Sequence, residues 1–499
     1  MAIAFLQVIT LSFSETMDAS TVVFGAFTII GDQVPTSAQH TLTDGTVLSL
    51  DGTLLAIQLS VADTESLKMK SIALTQAGTN LAIGSDAVRD MFNLNINAIP
   101  KLNPLAVKTY SEDKVRPSLL HFSLDVNLGE LQLTFSETVE TSALDVTALT
   151  IQGTADGSGQ AFNLTGLSAT TSLAGAVVIV SIANSDLNEV KKLEACATSA
   201  GDTFLSFTSA LITDRNANPV IAVGSDVAQP VQHYTADTTK PQLVAFSVNM
   251  DAEYLDSDLG SVVGCVEIAM TFTETVDIST LLAKFLTVQA ESVTAADSVT
   301  LGGRATVITQ SDSTVLSFKT LRSDANQIKQ NSNLAISSGS SFVSLAANFI
   351  QDMAGNSNVV IPTTSALRAE KYNPDTTAPR LLSFSINVDR GSITMSFDET
   401  VDGTSLEPVE LSIMDFVSRQ AASVTLTGGI GTTGIPWVQS DTRSTFDHSD
   451  ADAVTLWLTK TDLDELKRQN VCTSQDDCYL VHTGWAIRDM NRNQIIACT

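Results

Sequence analysis

Hydrophobic and polar residues alternate along many short stretches of this chain. Leu131, Leu133 and Phe135 are separated by polar residues, and the same alternation returns over residues 393–397. A period of two places the apolar side chains on one face of a β-strand. The pattern therefore predicts many short strands, each with one buried face.

Four sequence markers recur in the same order along the chain. The first is the strand-and-turn string LSFSETMD at Leu11, which returns as LTFSETVE at Leu133, MTFTETVD at Met270 and MSFDETVD at Met395. A helix-like string and an Asp-containing turn follow each copy, and linkers that end in proline join them. Self-similarity of this kind is typical of tandem domains. We expect four homologous domains, called repeats 1 to 4, at residues 1–113, 114–237, 238–375 and 376–499.

Two repeats depart from the common pattern. Repeats 2 to 4 each open with a strand after the linker proline, whereas repeat 1 begins too close to its first marker, so we expect its first strand to be missing. Repeat 3 carries 13 additional residues between Pro241 and Phe272, for which we expect a longer hairpin.

Each repeat contains one short helical pattern, such as SDLNEVKK from Ser185 and TDLDELKR from Thr461. Ser185 and Thr461 are suitable residue types for the N-caps of these helices. A parallel α/β fold needs a crossover helix between successive strands, and one short helix per repeat is too few. The fold class predicted is therefore all-β, with four tandem Ig-like β-sandwich domains that each carry one short helix.

The charge balance narrows the range of partners. The chain has 27 Lys+Arg against 55 Asp+Glu, a formal net charge of −28. Such an acidic chain repels phosphate backbones, so nucleic acid is not expected as a partner. No apolar run reaches the length that a membrane-spanning helix needs.

The sequence contains no recognisable catalytic motif. Its five histidines form no HxxxH or HExxH pair, and no GxSxG nucleophile elbow is present. Carboxylates recur at the same place in every repeat, which is expected of a structural position and not of a catalytic one. We predict that the protein is not an enzyme, with no catalytic residues and no certain cofactor.

The FSETVD-type strand, the SDLNEVKK helix and the DMAGN turn resemble tandem Ig-like repeats of large secreted microbial and algal proteins. They are also similar to bacterial Ig-like domains of surface layers and adhesins. The resemblance covers all four repeats and implies an extracellular, architectural role, as the subunit of a filament, fibril or surface layer. The alternative is an adhesin stalk that binds glycan or another cell surface, with repeat 4 as the candidate because it holds all three tryptophans, Trp437, Trp457 and Trp485.

The missing strand of repeat 1 has two interpretations. In the first interpretation the chain is a fragment of a longer secreted protein, which agrees with the lack of the basic segment of a signal peptide in residues 1–15. In the other interpretation, a second copy supplies the strand to the open sheet edge, which would build a head-to-tail homo-oligomeric filament. The two interpretations are compatible.

Acidic residues recur at three points of the repeats: at Glu15, Glu137, Glu274 and Glu399 after the first strand, at Asp90, Asp214, Asp352 and Asp489 in the late turn, and at Asp113, Asp237 and Asp375 in the linkers. If the first and third groups meet at domain junctions, Ca²⁺ is a candidate ligand for Glu137, Glu274, Glu399, Asp113, Asp237 and Asp375, because it prefers several oxygen atoms. The alternative is that the aspartates form turns and the glutamates serve as solubilising charge.

The cysteines and one sequon complete the candidate chemistry. Cys472 and Cys478 bracket five residues, a spacing that allows a disulfide in a secreted protein. By alignment Cys196 corresponds to Cys472, and Thr203 takes the place of Cys478, so repeat 2 lacks the pair. Asn163 begins the one standard N-glycosylation sequon, and surface Ser and Thr are candidates for O-glycans.

Overall fold

The computed structural model describes residues 7–31, 38–257, 259–294, 296–415, 422–428 and 452–498. These residues form several small sheets with antiparallel strands and four short α-helices, which confirms the all-β prediction. The chain divides into two compact units, Met1–Thr239 and Lys240–Thr499. Repeats 1 and 2 lie in the first unit and repeats 3 and 4 in the second, and each unit is described by itself.

The first unit contains eighteen named strands. Those of repeat 1 are β1 (Val8–Asp18), β2 (Phe27–Ile30), β3 (Gln39–Thr41), β4 (Gly45–Val47), β5 (Gly52–Leu59), β6 (Asn80–Ile83), β7 (Arg89–Asp90) and β8 (Leu105–Ala106). Repeat 2 provides β9 (Leu119–Asp125), β10 (Glu130–Glu140), β11 (Leu149–Gln152), β12 (Ala161–Asn163), β13 (Ala169–Thr170), β14 (Gly175–Ser181), β15 (Phe204–Phe207), β16 (Thr213–Asp214), β17 (Gln229–Pro230) and β18 (His233–Thr235).

The second unit repeats this order. Repeat 3 provides β19 (Leu243–Asp256), β20 (Ser261–Asp277), β21 (Leu286–Gln289), β22 (Ser298–Thr300), β23 (Ala305–Val307), β24 (Ser313–Thr320), β25 (Phe342–Leu345), β26 (Gln351–Asp352), β27 (Leu367–Arg368) and β28 (Lys371–Asn373). Repeat 4 provides β29 (Leu381–Asn387), β30 (Ser392–Phe397), β31 (Val401–Asp402), β32 (Leu411–Met414), β33 (Ser423–Thr425), β34 (Ala453–Trp457), β35 (Tyr479–His482) and β36 (Arg488–Asp489).

One short helix follows the strand β5, β14, β24 or β34 in each repeat. The helices are α1 (Val61–Met69), α2 (Asn184–Lys191), α3 (Arg322–Gln330) and α4 (Lys460–Gln469). The N-caps predicted at Ser185 and Thr461 are wrong, because each helix begins before these residues. Thr459 instead caps α4, where its hydroxyl accepts a hydrogen bond from the backbone N–H of Asp462, and Ala183 precedes α2 without a side-chain cap.

Repeat 2 shows how the alternating pattern becomes a two-layered fold. One sheet has the order β13-β14-β10-β9-β18 with β16 also on β10, and the other has the order β12-β11-β15-β17. Leu131 and Leu133 of the first sheet and Leu149 and Ile151 of the second lie fully buried in one hydrophobic cluster. The apolar faces of two antiparallel sheets therefore pack against each other.

Four hydrophobic clusters occur among the described residues, and each draws its members from one of the four repeats. Repeat 3 departs from the others in its first hairpin. Its strands β19 and β20 have 14 and 17 residues, against 7 and 11 for β9 and β10. The additional residues predicted for repeat 3 thus extend this hairpin.

The linkers after repeats 2 and 3 contribute an edge strand to the repeat that they leave. β18 pairs in parallel with β9, and β28 pairs in parallel with β19. In repeat 1 no strand equivalent to β9 lies along β1 in the part of the chain that the structure describes. No described helix is both long and apolar enough to cross a membrane.

Candidate functional site

A buried lysine lies where repeat 1 meets repeat 2. Lys68, in the last turn of α1, places its Nζ 2.8 Å from Oδ2 of Asp113 in the linker, and it also donates to Oε2 of Glu137 in β10. Lys68 and Glu137 are buried. The cation from one repeat therefore holds two carboxylates, one from the linker and one from the following repeat.

The same arrangement occurs between repeats 3 and 4. The Nζ of Lys329 in α3 lies 2.6 Å from Oδ2 of Asp375 and 2.8 Å from Oε2 of Glu399. All three residues are buried. The site is therefore a repeated feature of the chain, called here the lysine junction: a helix lysine, a linker aspartate and the glutamate of the ETV marker.

Local structure positions each member of the lysine junction. Lys68 and Lys329 each follow a residue buried in the core, Leu67 or Ile328, so the helix directs them along the edge of the core. The linker aspartate uses its two oxygens differently. In Asp375, Oδ1 accepts from the backbone N–H of Thr377 and bends the linker, which leaves Oδ2 for the lysine.

A second contact lies one helical turn before the lysine. In the first unit the hydroxyl of Thr138, the residue after the junction glutamate, donates to Glu65 of α1. In the second unit Thr400 occupies the same place and donates to Oδ1 of Asn326 of α3 at 2.7 Å. The helix thus binds successive residues of the ETV marker through side chains three residues apart, which share one helix face.

The linker is also attached to the repeat before it. The carboxylate of Asp251, at the register shift within β19, accepts hydrogen bonds from the backbone N–H and hydroxyl groups of Thr376 and Thr377, at 2.8–3.0 Å. Asn127 takes the equivalent place in repeat 2 and accepts from Thr238 and Thr239. Two consecutive threonines of the linker are therefore held by one side chain.

In each lysine junction, the linker is also bound by an asparagine of the repeat that follows it. The Nδ2 of Asn218 donates to the backbone carbonyl of Asp113 at 2.9 Å, and Asn493 donates to that of Asp375 at 3.2 Å. Asp489 organises the late turn, where it accepts from the backbone N–H groups of residues 491 and 493 and from the side chain of Asn493. The late-turn aspartate thus forms a turn, as the sequence analysis allowed, and its turn presents an asparagine to the linker.

Charge and burial oppose each other in the lysine junction. Burial disfavours the charged form of Lys329, but attraction and hydrogen bonds from Glu399 and Asp375 outweigh it and raise the pKa of the lysine. Burial also raises the pKa of Glu399, which Asp375 raises further, while Lys329 opposes this change. Burial raises the pKa of Asp489 to about 6. One cation thus faces more carboxyl groups than it can neutralise, and the surplus favours protonation.

The pKa values in the lysine junction of the first unit change in the same directions. Burial opposes the charge of Lys68, yet Asp113 and Glu137 raise its pKa, and burial raises the pKa of Glu137 despite the lysine. The Oε1 atom of Glu137 is buried without a hydrogen-bond partner among the described residues. A buried oxygen in this state is costly as a carboxylate, which agrees with the raised pKa.

The predicted acidic sites thus come together in a way that the sequence analysis did not include. Glu137 meets Asp113, and Glu399 meets Asp375, but a lysine ammonium lies between them, and the glutamates are buried, so they are not solubilising surface charge. Calcium binding at these residues is untested, and Ca²⁺ would have to displace this ammonium. In the first unit, Asp237 is buried and pairs with Lys191 of α2 at 2.7 Å. In the second unit, Glu274 is buried at the end of β20.

The lysine was missed although the sequence contains a signal for it. The lysine occupies the same place in the four helix markers, directly after an apolar residue in each: Lys68, Lys191, Lys329 and Lys467. A cation that recurs in phase with a recurring acid is the pattern of an ion pair between repeats.

The cysteines divide into one pair and three thiols. Cys472 and Cys478 form a disulfide in the loop between α4 and β35, while Cys196 and Cys265 are buried thiols and Cys498 is an exposed one. The alignment of Cys196 with Cys472 is wrong by one residue. Ala197 and Cys472 share the left-handed conformation, with φ of 57° and 61°, whereas Cys196 takes the buried place of Val471.

The remaining candidate residues lie apart from the lysine junction. Asn163 is exposed at the end of the edge strand β12, and the hydroxyl of Thr165, the third residue of its sequon, donates to Asp186 at 2.8 Å. Trp485 is 58% exposed beside Arg488, and Trp457 is half-buried in β34. Trp437 lies outside the described residues.

Comparisons with known proteins add little to this picture. No family model matches the chain, and no curated protein matches it. Among solved structures, it is similar to a three-domain segment of titin, at 9% identity over 75% of this chain and 95% of that chain, with a TM-score of 0.17. A Dscam structure matches at 8% identity over 91% of this chain and 100% of that chain, with a TM-score of 0.14. Domains 1–6 of the surface layer protein SbsC match at 10% identity over 89% and 65%, also with a TM-score of 0.14. These scores are low, so the similarities carry no inference about the function of this chain.

Proposed function

We propose that this protein is an extracellular structural protein, a subunit of a filament or surface layer in which tandem Ig-like repeats transmit mechanical load. The observation that carries the proposal is the lysine junction, which recurs in both units with the same three residue types and the same partners. A feature repeated along a chain serves the chain as a whole, since a catalytic centre needs to occur only once.

The junction supports a mechanical role because it removes freedom from the linker. Domains joined by short linkers move relative to each other by default unless their interface is substantial. Here the linker aspartate is bound by the helix lysine of one repeat, and its carbonyl is bound by an asparagine of the next. Reorienting the two repeats requires that these buried contacts break together.

The disulfide supports the extracellular part of the proposal. Disulfides persist in oxidising compartments and are rare in the cytosol. Cys472 and Cys478 close a loop with a sequence separation of 6. This loop follows α4, the helix equivalent to α1 and α3, which carry the junction lysines. The crosslink therefore reinforces the corresponding end of repeat 4.

Assembly is tested by negative-stain electron microscopy of the purified chain. Regular fibres or sheets that shorten or disappear in the Lys68→Met and Lys329→Met variants are expected. Isolated particles at every concentration, with variants indistinguishable from the original protein, would contradict a filament or surface layer.

An adhesin stalk is the second candidate, and the exposed ring of Trp485 favours it. Aromatic faces bind sugars, and this ring is 58% exposed with the Arg488 guanidinium 6.0 Å from its centre. A glycan array probed with the original protein and with Trp485→Ala separates the two candidates. Binding that depends on Trp485, without fibres, supports the adhesin.

A further inference from the structure

Among the described residues, a linker strand occupies the outer edge of the first sheet in repeats 2 and 3, and none occupies it in repeat 4. In repeat 2 the linker strand β18 lies parallel to β9, with the N–H of Gln232 donating to the carbonyl of Phe122 and the N–H of Val126 donating to that of Thr235. In repeat 3, β28 lies along β19 in the same way. In repeat 4, β29 is the outer strand of its sheet within the described residues.

The open edge leaves core residues of repeat 4 only partly covered. Phe122 and Phe246 are fully buried behind the linker strands of repeats 2 and 3, whereas the equivalent Phe384 is half-buried. Ile386 is half-buried as well, although its counterpart in repeat 2, Leu124, is buried. Within the described part of the chain, this edge of β29 thus offers both backbone groups without a strand partner and apolar surface to an incoming strand.

A depression beside this edge lies where the linker tyrosine binds in repeats 1 and 2. The linkers each carry a tyrosine, and the hydroxyls of Tyr110 and Tyr234 donate to the backbone carbonyls of Ala73 and Ala197, at 3.0 and 2.7 Å. In repeat 4 the equivalent residue is Cys472, which has the same left-handed conformation. It lines a depression of about 540 Å³ between β29 and the end of α4, together with Ile386, Val388 and Leu466.

The polar anchors of a linker are also present in repeat 4. Asp389 takes the place of Asp251, which binds the two linker threonines, and Lys467 takes the place of Lys329, which binds the linker aspartate. Both side chains are exposed at the depression. Neither makes an ion pair or a side-chain hydrogen bond to another described residue.

We propose that this surface of repeat 4 is a docking site for an extended segment with the pattern Tyr-x-x-Asp-Thr-Thr, presented by the linker of a further repeat of this type. The segment would add a parallel strand to β29, place its tyrosine in the depression and bring its aspartate to Lys467 and its threonines to Asp389. Strand addition supplies backbone hydrogen bonds, and the side-chain pockets supply selectivity. The inference deepens the proposed structural function, because it names the kind of partner that continues the array.

The test uses a labelled peptide of residues 369–378, AEKYNPDTTA, which is the chain's own example of the segment. Fluorescence anisotropy with the 499-residue chain measures binding, and sedimentation velocity identifies a concentration at which the protein is monomeric. We expect a dissociation constant of about 10–100 μM, as is usual for a short segment that becomes ordered when it binds. Changing the peptide tyrosine to alanine is expected to weaken binding about tenfold or more, since a buried aromatic anchor contributes most to such an interface.

A matched pair of protein variants separates specific docking from general charge attraction. Lys467→Gln is expected to weaken binding about fivefold and to abolish the effect of changing the peptide aspartate to asparagine. Lys460→Gln is the control, because Lys460 lies on the same helix but pairs with Asp464 away from the depression. Intrinsic tryptophan fluorescence verifies that both variants fold.

Two binding results, and one result on self-association, would overturn the proposal. One is no binding of the peptide up to about 1 mM, a limit above which specific recognition is not meaningful. The other is binding that Lys467→Gln and the peptide tyrosine change leave unaltered. Self-association that depends on Lys467 without peptide binding would assign the surface to a second copy and would also refute docking of a linker segment. Because none of these measurements needs fibres, failure of the docking site is distinguishable from failure of the filament proposal.

Discussion

Replacing Lys329 with methionine tests the central physical claim, that a buried ammonium holds two repeats to one linker. Methionine keeps much of the aliphatic stem but removes the charge. Asp375 and Glu399 then lose hydrogen bonds of 2.6 and 2.8 Å in a buried site. The variant therefore isolates the electrostatic part of the lysine junction.

The expected magnitude follows from burial. Removing one partner of a buried ion pair costs about 3–5 kcal/mol, because the remaining charge is left buried without compensation. Two carboxylates lose their cation here, but protonation relieves part of the cost at about 1.4 kcal/mol per unit of pKa shift. We expect the free energy of unfolding to fall by about 3–5 kcal/mol near neutral pH and by less in mild acid, where protonation is easier.

The assay is urea unfolding followed by tryptophan fluorescence. All three tryptophans lie in repeat 4, so the signal reports the repeat that receives the lysine. Lys467→Met is the matched control, because Lys467 has the same place in its helix but is exposed. An exposed lysine of this kind contributes less than about 1 kcal/mol.

Equal losses in the Lys329→Met and Lys467→Met variants would refute the reasoning. A loss below about 1 kcal/mol for Lys329→Met would do so as well, since it would mean that the ion pair is effectively solvated. Adding Glu399→Gln to Lys329→Met should recover part of the loss, because it removes one of the stranded charges. Failure of this second change to recover stability would show that the methionine acts by disturbing packing.

Three further predictions concern acid, metal and redox conditions. Burial raises the pKa of Glu399, so this side chain binds a proton more tightly in the folded protein than in the unfolded one. The urea midpoint should therefore fall as the pH rises above 4.5, the ordinary pKa of glutamate, and Glu399→Gln should flatten this dependence. A midpoint that rises equally in both proteins would contradict the prediction. Calcium at millimolar concentration should leave the melting temperature unchanged, because a lysine already supplies the cation, and a calcium-dependent rise that Glu399→Gln removes would instead establish a calcium site. Replacing Cys478 with serine should lower the free energy of unfolding of repeat 4 by about 2 kcal/mol, the value for a short closed loop, and an unchanged urea midpoint would show that the pair with Cys472 is not formed in solution.

The parts of the structure that depend on neighbours in sequence were predictable. The alternation of Leu131, Leu133 and Phe135 predicted a half-buried strand, and these residues are buried in β10. Period and strand geometry are local properties, so a few residues are sufficient to recognise them. Helix starts depend on finer detail, and the N-cap predicted at Ser185 failed because α2 already begins at Asn184, with Ala183 in the N-cap position.

The lysine junction depends on distant residues, and this is why the sequence analysis found only its acids. Lys68 and Glu137 are separated by 69 positions and belong to different repeats. Reading each repeat by itself makes Glu137 resemble a surface charge, because its partner is never in the same repeat. Aligning the four repeats and comparing each with the next would have shown a lysine and an acidic residue that recur together.

The two lysine junctions share their residues but not their surroundings, and this difference shows how one repeat can tune the next. Lys329 is buried more deeply than Lys68, with 4% against 9% of its side chain exposed. The extended hairpin of repeat 3 is the cause, because Gly264 donates a backbone hydrogen bond to the carbonyl of Asp398, beside the junction glutamate. A β-carbon at Gly264 would lie 3.0 Å from that of Glu399, so the approach depends on the absence of a side chain. Lower solvent access strengthens the attraction between the lysine and its two carboxylates and increases the cost of losing either. An insertion within one repeat therefore sets the strength of the connection to the following repeat without changing any residue that forms it.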